Sequence, residues 1–205
     1  MQIQSSEIAD LRLNSQQLRG TSLKTANDMV RWFTAVQAQE YALSKWGLGL
    51  RLPHLKDTDI EQELTEGKIL RTHLLRPTWH FVTSGDIRWL LKLTAPRVNA
   101  VSASMYRQLE LDDKAFKKYN KILGKILKGG KHLTREEIRS EFNINKIETK
   151  GLRFLYILAR GELDGIICSG ARKGNQSTYA LLDERVPHSR EPGWDEALAE
   201  LTIRY

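Results

Sequence analysis

A mainly α-helical chain carrying small β hairpins is what this sequence predicts, and three observations predict it. Apolar residues recur at helical spacing through most of the 205 residues. Two short stretches rich in β-branched and aromatic residues, each with a basic turn, interrupt that pattern. Each stretch follows a helical segment that runs into a glycine, Gly67 in one case and Gly161 in the other.

Taken in order, "SLKTANDMVRWF" reads as a helix with Leu23, Ala26, Val30 and Phe33 on one stripe. "EYALSKWGLGLRLP" is a shorter helix fading at Gly47, Gly49 and Pro53. "DTDIEQELTEGKI" is a third, capped by Asp57 or Thr58 and stopped at Gly67. "ILRTHLLRPTWHFV" then reads as a hairpin turning at Arg76-Pro77, and helix resumes at "SGDIRWLLKLTAPRV" behind a Ser84 cap. "DDKAFKKYNKILGKILKGGKHL" is amphipathic. Lys114, Lys117, Lys118, Lys121, Lys125 and Lys128 fall within about 100° on a 3.6-residue wheel, opposite Phe116, Tyr119, Ile122, Leu123, Ile126 and Leu127. Gly129-Gly130 ends it, and "LTREEIRSEF" opens the next helix with Thr134 and Glu137 in capping-box spacing. "TKGLRFLYILARGELDG" is a further helix, and "GIICSG", "ARKGNQ" and "STYALLDERV" form the second hairpin with its turn.

The two hairpins look related. Each has a helix ending at glycine, a strand, a basic turn, and then Thr-aromatic-x-aliphatic or aromatic: Thr78-Trp79-His80-Phe81 and Thr178-Tyr179-Ala180-Leu181. Helices followed by a basic hairpin, twice, is the pattern of tandem winged helix-turn-helix units. The expected units are 8–100 and 101–190, with 191–205 opening a third that the chain does not complete.

Composition narrows the function. A hydrophobic fraction of 40% and a charged fraction of 28% are those of a soluble globular protein. Lys and Arg exceed Asp and Glu by 32 to 25, for a net charge of +7 and a pI near 9.5, which favours a polyanionic partner. Cys168 is the only cysteine, so no internal disulfide forms, consistent with a reducing cytosol. The opening stretch "MQIQSSEIADLRLNSQQ" contains no apolar h-region, and no run of about 18 apolar residues occurs. His54, His73, His80, His132 and His188 lack metal-ligand spacing, so neither a metal nor a cofactor is expected. Nucleotide-binding glycine loops and the hydrolase G-x-S-x-G are missing as well.

Three features could carry function. The turn "ARKGNQST" offers Arg172, Lys173, Asn175 and Gln176 at a flexible tip; read with the repeat, it is a wing suited to phosphate or minor-groove contact. The lysine stripe can track a nucleic-acid backbone, but the expected reading is a solvated helix face. Trp32, Trp46, Trp79 and Trp89 are expected in the core. The third feature is "VQAQ". On a helix Gln37 and Gln39 would point about 160° apart; in an extended segment they share a face and can converge on one point. The plain alternative has one glutamine solvated and the other satisfying buried backbone groups.

"VQAQ", "LRTHLLRPTWHFVTSGDIRWLLKLTAPRV" and "ARGELDGIICSGARKGNQSTYALLDERVP" together resemble the winged-helix DNA-binding family of the AlkZ and YcaQ bacterial DNA glycosylases, over about residue 8 to Tyr205. The resemblance implies a cytoplasmic, nucleoid-associated protein that binds double-stranded DNA and removes alkylated purines, including crosslinked ones, by cutting the N-glycosidic bond. Gln37 and Gln39 would be catalytic, positioning the attacking water. Arg71, Arg76 and His80 would support DNA near the first wing, and Arg172, Lys173, Asn175 and Gln176 at the second. Relatives run to about twice this length, and "DEALAELTIRY" resembles the first helix of their third unit. The alternatives are a non-catalytic DNA-binding regulator and a protein-interaction module on the same fold.

Overall fold

The computed structural model describes residues 5–186 and 189–205; His188 lies outside the described residues. After α1 (Ser5–Ser15), α2 (Ala26–Trp32) starts later than its apolar stripe suggests. The reason is a capping box: the Thr25 hydroxyl accepts from the Asp28 N–H, and the Asp28 carboxylate accepts from the Thr25 N–H. Then come β1 (Val36–Gln37), α3 (Tyr41–Gly49), α4 (Asp57–Thr65), β2 (Ile69–Leu74) and β3 (Arg76–Thr83), with the sheet ordered β1-β3-β2. Gly67, at φ +79°, turns the chain out of α4 in a conformation that strains any side chain.

The first hairpin turns one residue earlier than expected. Leu75, at φ +60°, is the turn, and Arg76 already faces Leu74 in the ladder. The register shifts between His73 and Leu74, so Pro77, which has no N–H to offer, falls where no ladder bond is required. The hairpin is therefore tight, with no projecting loop.

The helix after it, α5 (Ile87–Gln108), is 22 residues long and runs through Pro96. Its N-cap is Asp86, whose carboxylate accepts from the Thr83 hydroxyl and the Trp89 indole, and not Ser84. The expected boundary at 100/101 falls inside this helix, so the two halves are joined by a continuous helix. α6 (Asp113–Ile126), β4 (Leu133–Thr134), α7 (Arg135–Ile144), α8 (Leu152–Leu163), β5 (Ile167–Ser169) and β6 (Thr178–Leu181) follow, in a sheet ordered β4-β6-β5. The Thr134–Glu137 capping box forms as the spacing predicts. α9 (Leu182–Arg185) and α10 (Trp194–Arg204) complete the described chain.

The order helix, strand, helix, helix, two strands thus occurs twice, and in both sheets the last strand is central. Two correspondences between the halves differ from those expected. The counterpart of Gly67 is Gly165, at φ +69° just past α8; Gly161 lies within α8, where a Cβ would meet Leu123 Cδ1 at 3.0 Å. The register also differs: the last residues of β1 and β4 face His80 and Thr178 respectively, so His80, not Thr78, occupies the place of Thr178.

Each half has its own core, one around Met29, Leu48 and Phe81 and the other around Phe116, Phe142 and Phe154. A third cluster, including Leu74, Trp89, Cys168 and Leu182, belongs to both. Polar pins cross between the halves. The Arg71 N–H donates to Ser169 Oγ at 2.8 Å, and Arg185 donates to the carbonyls of Leu64 and Thr65. Buried Glu162 of α8 accepts from the His73 N–H and pairs with the His73 ring at Nδ1. α10 returns to the first half, where Arg204 meets Asp86 at 2.8 Å and the Arg31 carbonyl at 2.7 Å. Burial pushes the Asp86 carboxyl up, but bonds from Arg204, Trp89 and Thr83 outweigh it and hold it below the usual carboxylate range. No helix among the described residues is long and apolar enough to cross a membrane.

Candidate active site

The link from α2 to α3 is extended. Val36 pairs with Phe81 and Gln37 with His80, and the Ala38 N–H donates to the Trp79 carbonyl at 2.7 Å. Period-two alternation then decides the faces. Ala38 is 0% exposed, packed in the first core, while Gln37 and Gln39 are both exposed on the other side. The second half has no equivalent segment: there Thr134 ends β4 and caps α7 at once, whereas three residues, Ala38 to Glu40, separate β1 from α3.

Arg71, on β2, holds this segment. Its Nε donates to the Ala38 carbonyl and its Nη2 to the Gln39 carbonyl, both at 2.9 Å. The guanidinium lies 4.3 Å from the Trp79 ring centroid, and the His73 ring, held in turn by Glu162, packs at 4.7 Å from the same centroid. Arg71 was expected at the DNA; its guanidinium is instead engaged by the protein's own backbone. The two glutamines differ. Gln39 Oε1 accepts from the Trp79 N–H at 3.4 Å, whereas the Gln37 amide makes no hydrogen bond among the described residues. Gln37 lines a cavity of about 550 Å³ together with Phe33, Leu43, Ser44, Arg51 and Tyr205.

His80 does not fit its expected role. It is 0% exposed, its Nδ1 lies 3.0 Å from the Thr78 carbonyl, and its Nε2 is buried without a partner among the described residues. Burial pushes its pKa down to about 4, so the ring is neutral near pH 7. Arg76 is exposed beside the first turn. At the second turn Lys173, Asn175 and Gln176 are exposed, with Lys173 Nζ paired to Glu137 at 2.8 Å. Arg172 folds back instead, its guanidinium 4.7 Å from the Tyr41 ring and 3.9 Å from Glu61. Arg71 sits 5.7 Å from the same ring. Tyr41 therefore links the glutamine segment to the second turn.

Sequence reasoning missed Tyr41 and the network behind it. The Tyr41 hydroxyl donates to Glu61, and buried Lys45 pairs with Asp57 and Glu61. Burial, then Glu61, pushes the Tyr41 hydroxyl far up, so it stays protonated as a donor. The i, i+4 spacings of Tyr41 with Lys45 and of Asp57 with Glu61 were the available signal. The tryptophans divide: Trp89 is core and Trp79 half-buried, but Trp32 and Trp46 are 50% and 64% exposed. Among the described residues no group of three His, Cys, Asp or Glu side chains could hold a metal ion.

The family described as DNA glycosylase AlkZ-like matches residues 30–205. Among solved structures, Streptomyces sahachiroi DNA glycosylase AlkZ superposes with a TM-score of 0.79 at 21% identity, covering 98% of this chain and 56% of that one. This chain thus spans little more than half the length of that protein, and the likeness is one of fold. No curated protein matches the sequence. The family match takes in the glutamine segment, both hairpins and α10, and the chain belongs to the AlkZ-like DNA glycosylase family.

Proposed function

We propose that the chain is a DNA glycosylase built on tandem winged-helix units, which hydrolyses the N-glycosidic bond of alkylated purines in duplex DNA, crosslinked purines included. One observation carries the reading: two neutral amides are presented on one exposed face of an extended segment that Arg71 and buried Ala38 hold still. Family membership supports the reaction class.

The chemistry suits amides. A glutamine has no accessible pKa near neutrality and cannot act as a strong general base. A purine alkylated at N7 or N3 is already cationic and leaves readily. The glutamine oxygens hold a water beneath C1′. Its oxygen bonds to C1′ as the N-glycosidic bond breaks, the departing purine takes the electron pair and becomes neutral, and the water's proton passes to solvent. The amide dipoles and nearby phosphates support the cationic sugar. In this reading Arg76, Lys173, Asn175 and Gln176 contact the DNA, Arg71 is a positioning residue, and His80 is structural. The twice-repeated element order supports the winged-helix assignment, with the first unit ending within α5 and α10 opening a third.

One observation favours a non-catalytic DNA-binding module: the Gln39 amide oxygen already accepts a backbone N–H, as a structural glutamine would. Incubation with methylated duplex DNA, followed by chromatography of released bases, separates the readings. Release of N7-methylguanine is expected. Binding of the duplex without release would overturn the catalytic reading.

A further inference from the structure

We infer that the outer face of α6 is a second DNA-backbone surface, separate from the glutamine segment and the hairpin turns. Lys114, Lys117, Lys118, Lys121 and Lys125 are all exposed on this helix, and none forms an ion pair among the described residues. Lys45, Lys68, Lys92 and Lys173 have carboxylate partners, but Lys24, Lys146 and Lys150 have none either among the described residues, so what sets α6 apart is the gathering of five unpaired lysines on one helix. On α6 the lysines stand three and four residues apart, the spacings at which like charges repel across a helix surface. A polyanion relieves that repulsion. Four of them line a shallow groove with Ile122.

The geometry suits a phosphate ladder. From Lys114 to Lys125 is about 16 Å at 1.5 Å per residue, and one strand of duplex DNA carries a charge every 3.4 Å of axis, hence about five phosphates over that length. An anionic membrane is a poorer fit. A helix that binds at a membrane surface inserts its apolar face, but here Phe116, Tyr119 and Leu123 are buried in the core of the second half. The outward face offers mainly charge, and charge meets an extended polyanion without insertion.

This inference rests on the reading of the chain as a DNA-binding protein, but not on its catalysing anything. The test compares a Lys114→Gln, Lys118→Gln, Lys121→Gln triple variant with a control of equal net charge, Lys24→Gln, Lys146→Gln, Lys150→Gln, all exposed positions. Binding to plain duplex DNA is measured across salt concentration. The α6 triple is expected to flatten the slope of log K against log[salt] by about 2 to 3, near 0.9 per lost contact, and the control by less than 1. Base release at saturating DNA should be unchanged by the α6 triple; its failure in the parent chain would strike the catalytic reading and leave this one standing. Equal slopes for the two triples, or binding to anionic vesicles in preference to DNA, would overturn the inference.

Discussion

Replacing Arg71 with lysine separates a positioning role from a phosphate contact. The guanidinium donates to the Ala38 and Gln39 carbonyls, both at 2.9 Å, and lies 4.3 Å from the Trp79 ring. A lysine keeps the charge but can reach one carbonyl at most. The loss is one charge-assisted hydrogen bond, about 1.5–3 kcal/mol, plus part of a cation–π contact of about 0.5–1 kcal/mol. A segment loosened by about 2–3 kcal/mol lowers kcat roughly 30- to 150-fold at 1.36 kcal/mol per decade, if the glutamines act only from their held positions. Single-turnover base release at saturating DNA reads kcat, and a fluorescence titration reads affinity and its salt slope. The expected result is a fall in kcat with the salt slope unchanged. A flattened slope with kcat intact would show Arg71 on a phosphate and refute the reasoning.

Other perturbations follow from the same structure. His80 is buried neutral with a folded pKa of about 4 against 6.5 unfolded, so below pH 6.5 the unfolded state binds the proton more readily. Stability is fully present above 6.5 and declines by about 3 kcal/mol as the pH falls to 4; denaturant titrations of a His80→Leu variant should lack that component. Glu162→Ala leaves the His73 ring and its N–H without their buried partner; loss of about 3–5 kcal/mol, or roughly 10 °C in Tm, is expected by calorimetry. Gly161→Val places a Cβ 3.0 Å from Leu123 and 3.3 Å from Ile167, for a cost of about 1–3 kcal/mol, whereas Gly124→Ala on α6, with open space around it, gains about 0.5–1 kcal/mol. Chemical denaturation distinguishes the two signs.

What was legible in the sequence was set by local chemistry. The helices α2 to α8, the Thr134 cap, the stop at Gly67 and both hairpins follow from periodicity and turn residues that act within a few positions. An extended "VQAQ" was one of two forms the sequence left open, and the pairing of β1 with β3 decides between them. What was missed depends on distant partners. Arg71 reads as a surface cation until Ala38, Gln39 and Trp79 are brought around it by pairing of β1, β2 and β3. His80 reads as an exposed wing residue, but its position in the central strand of the sheet buries it. The first turn was misplaced because Arg76-Pro77 suits a turn chemically, while the bulge after His73 lets Leu75 take it. Trp32 and Trp46 were assigned to the core by residue type alone, and type does not say which helix faces find a neighbour.

The most direct measurement is single-turnover release of N7-methylguanine from methylated duplex DNA by the parent chain and by its Gln37→Ala and Gln39→Ala variants, all at saturating DNA. Both side chains are exposed, so the variants should fold and bind as the parent does. The account predicts that the parent releases the base and that each change slows release at least about 100-fold, the scale of one preorganised dipole, with affinity preserved. Release at the parental rate from both variants would contradict it.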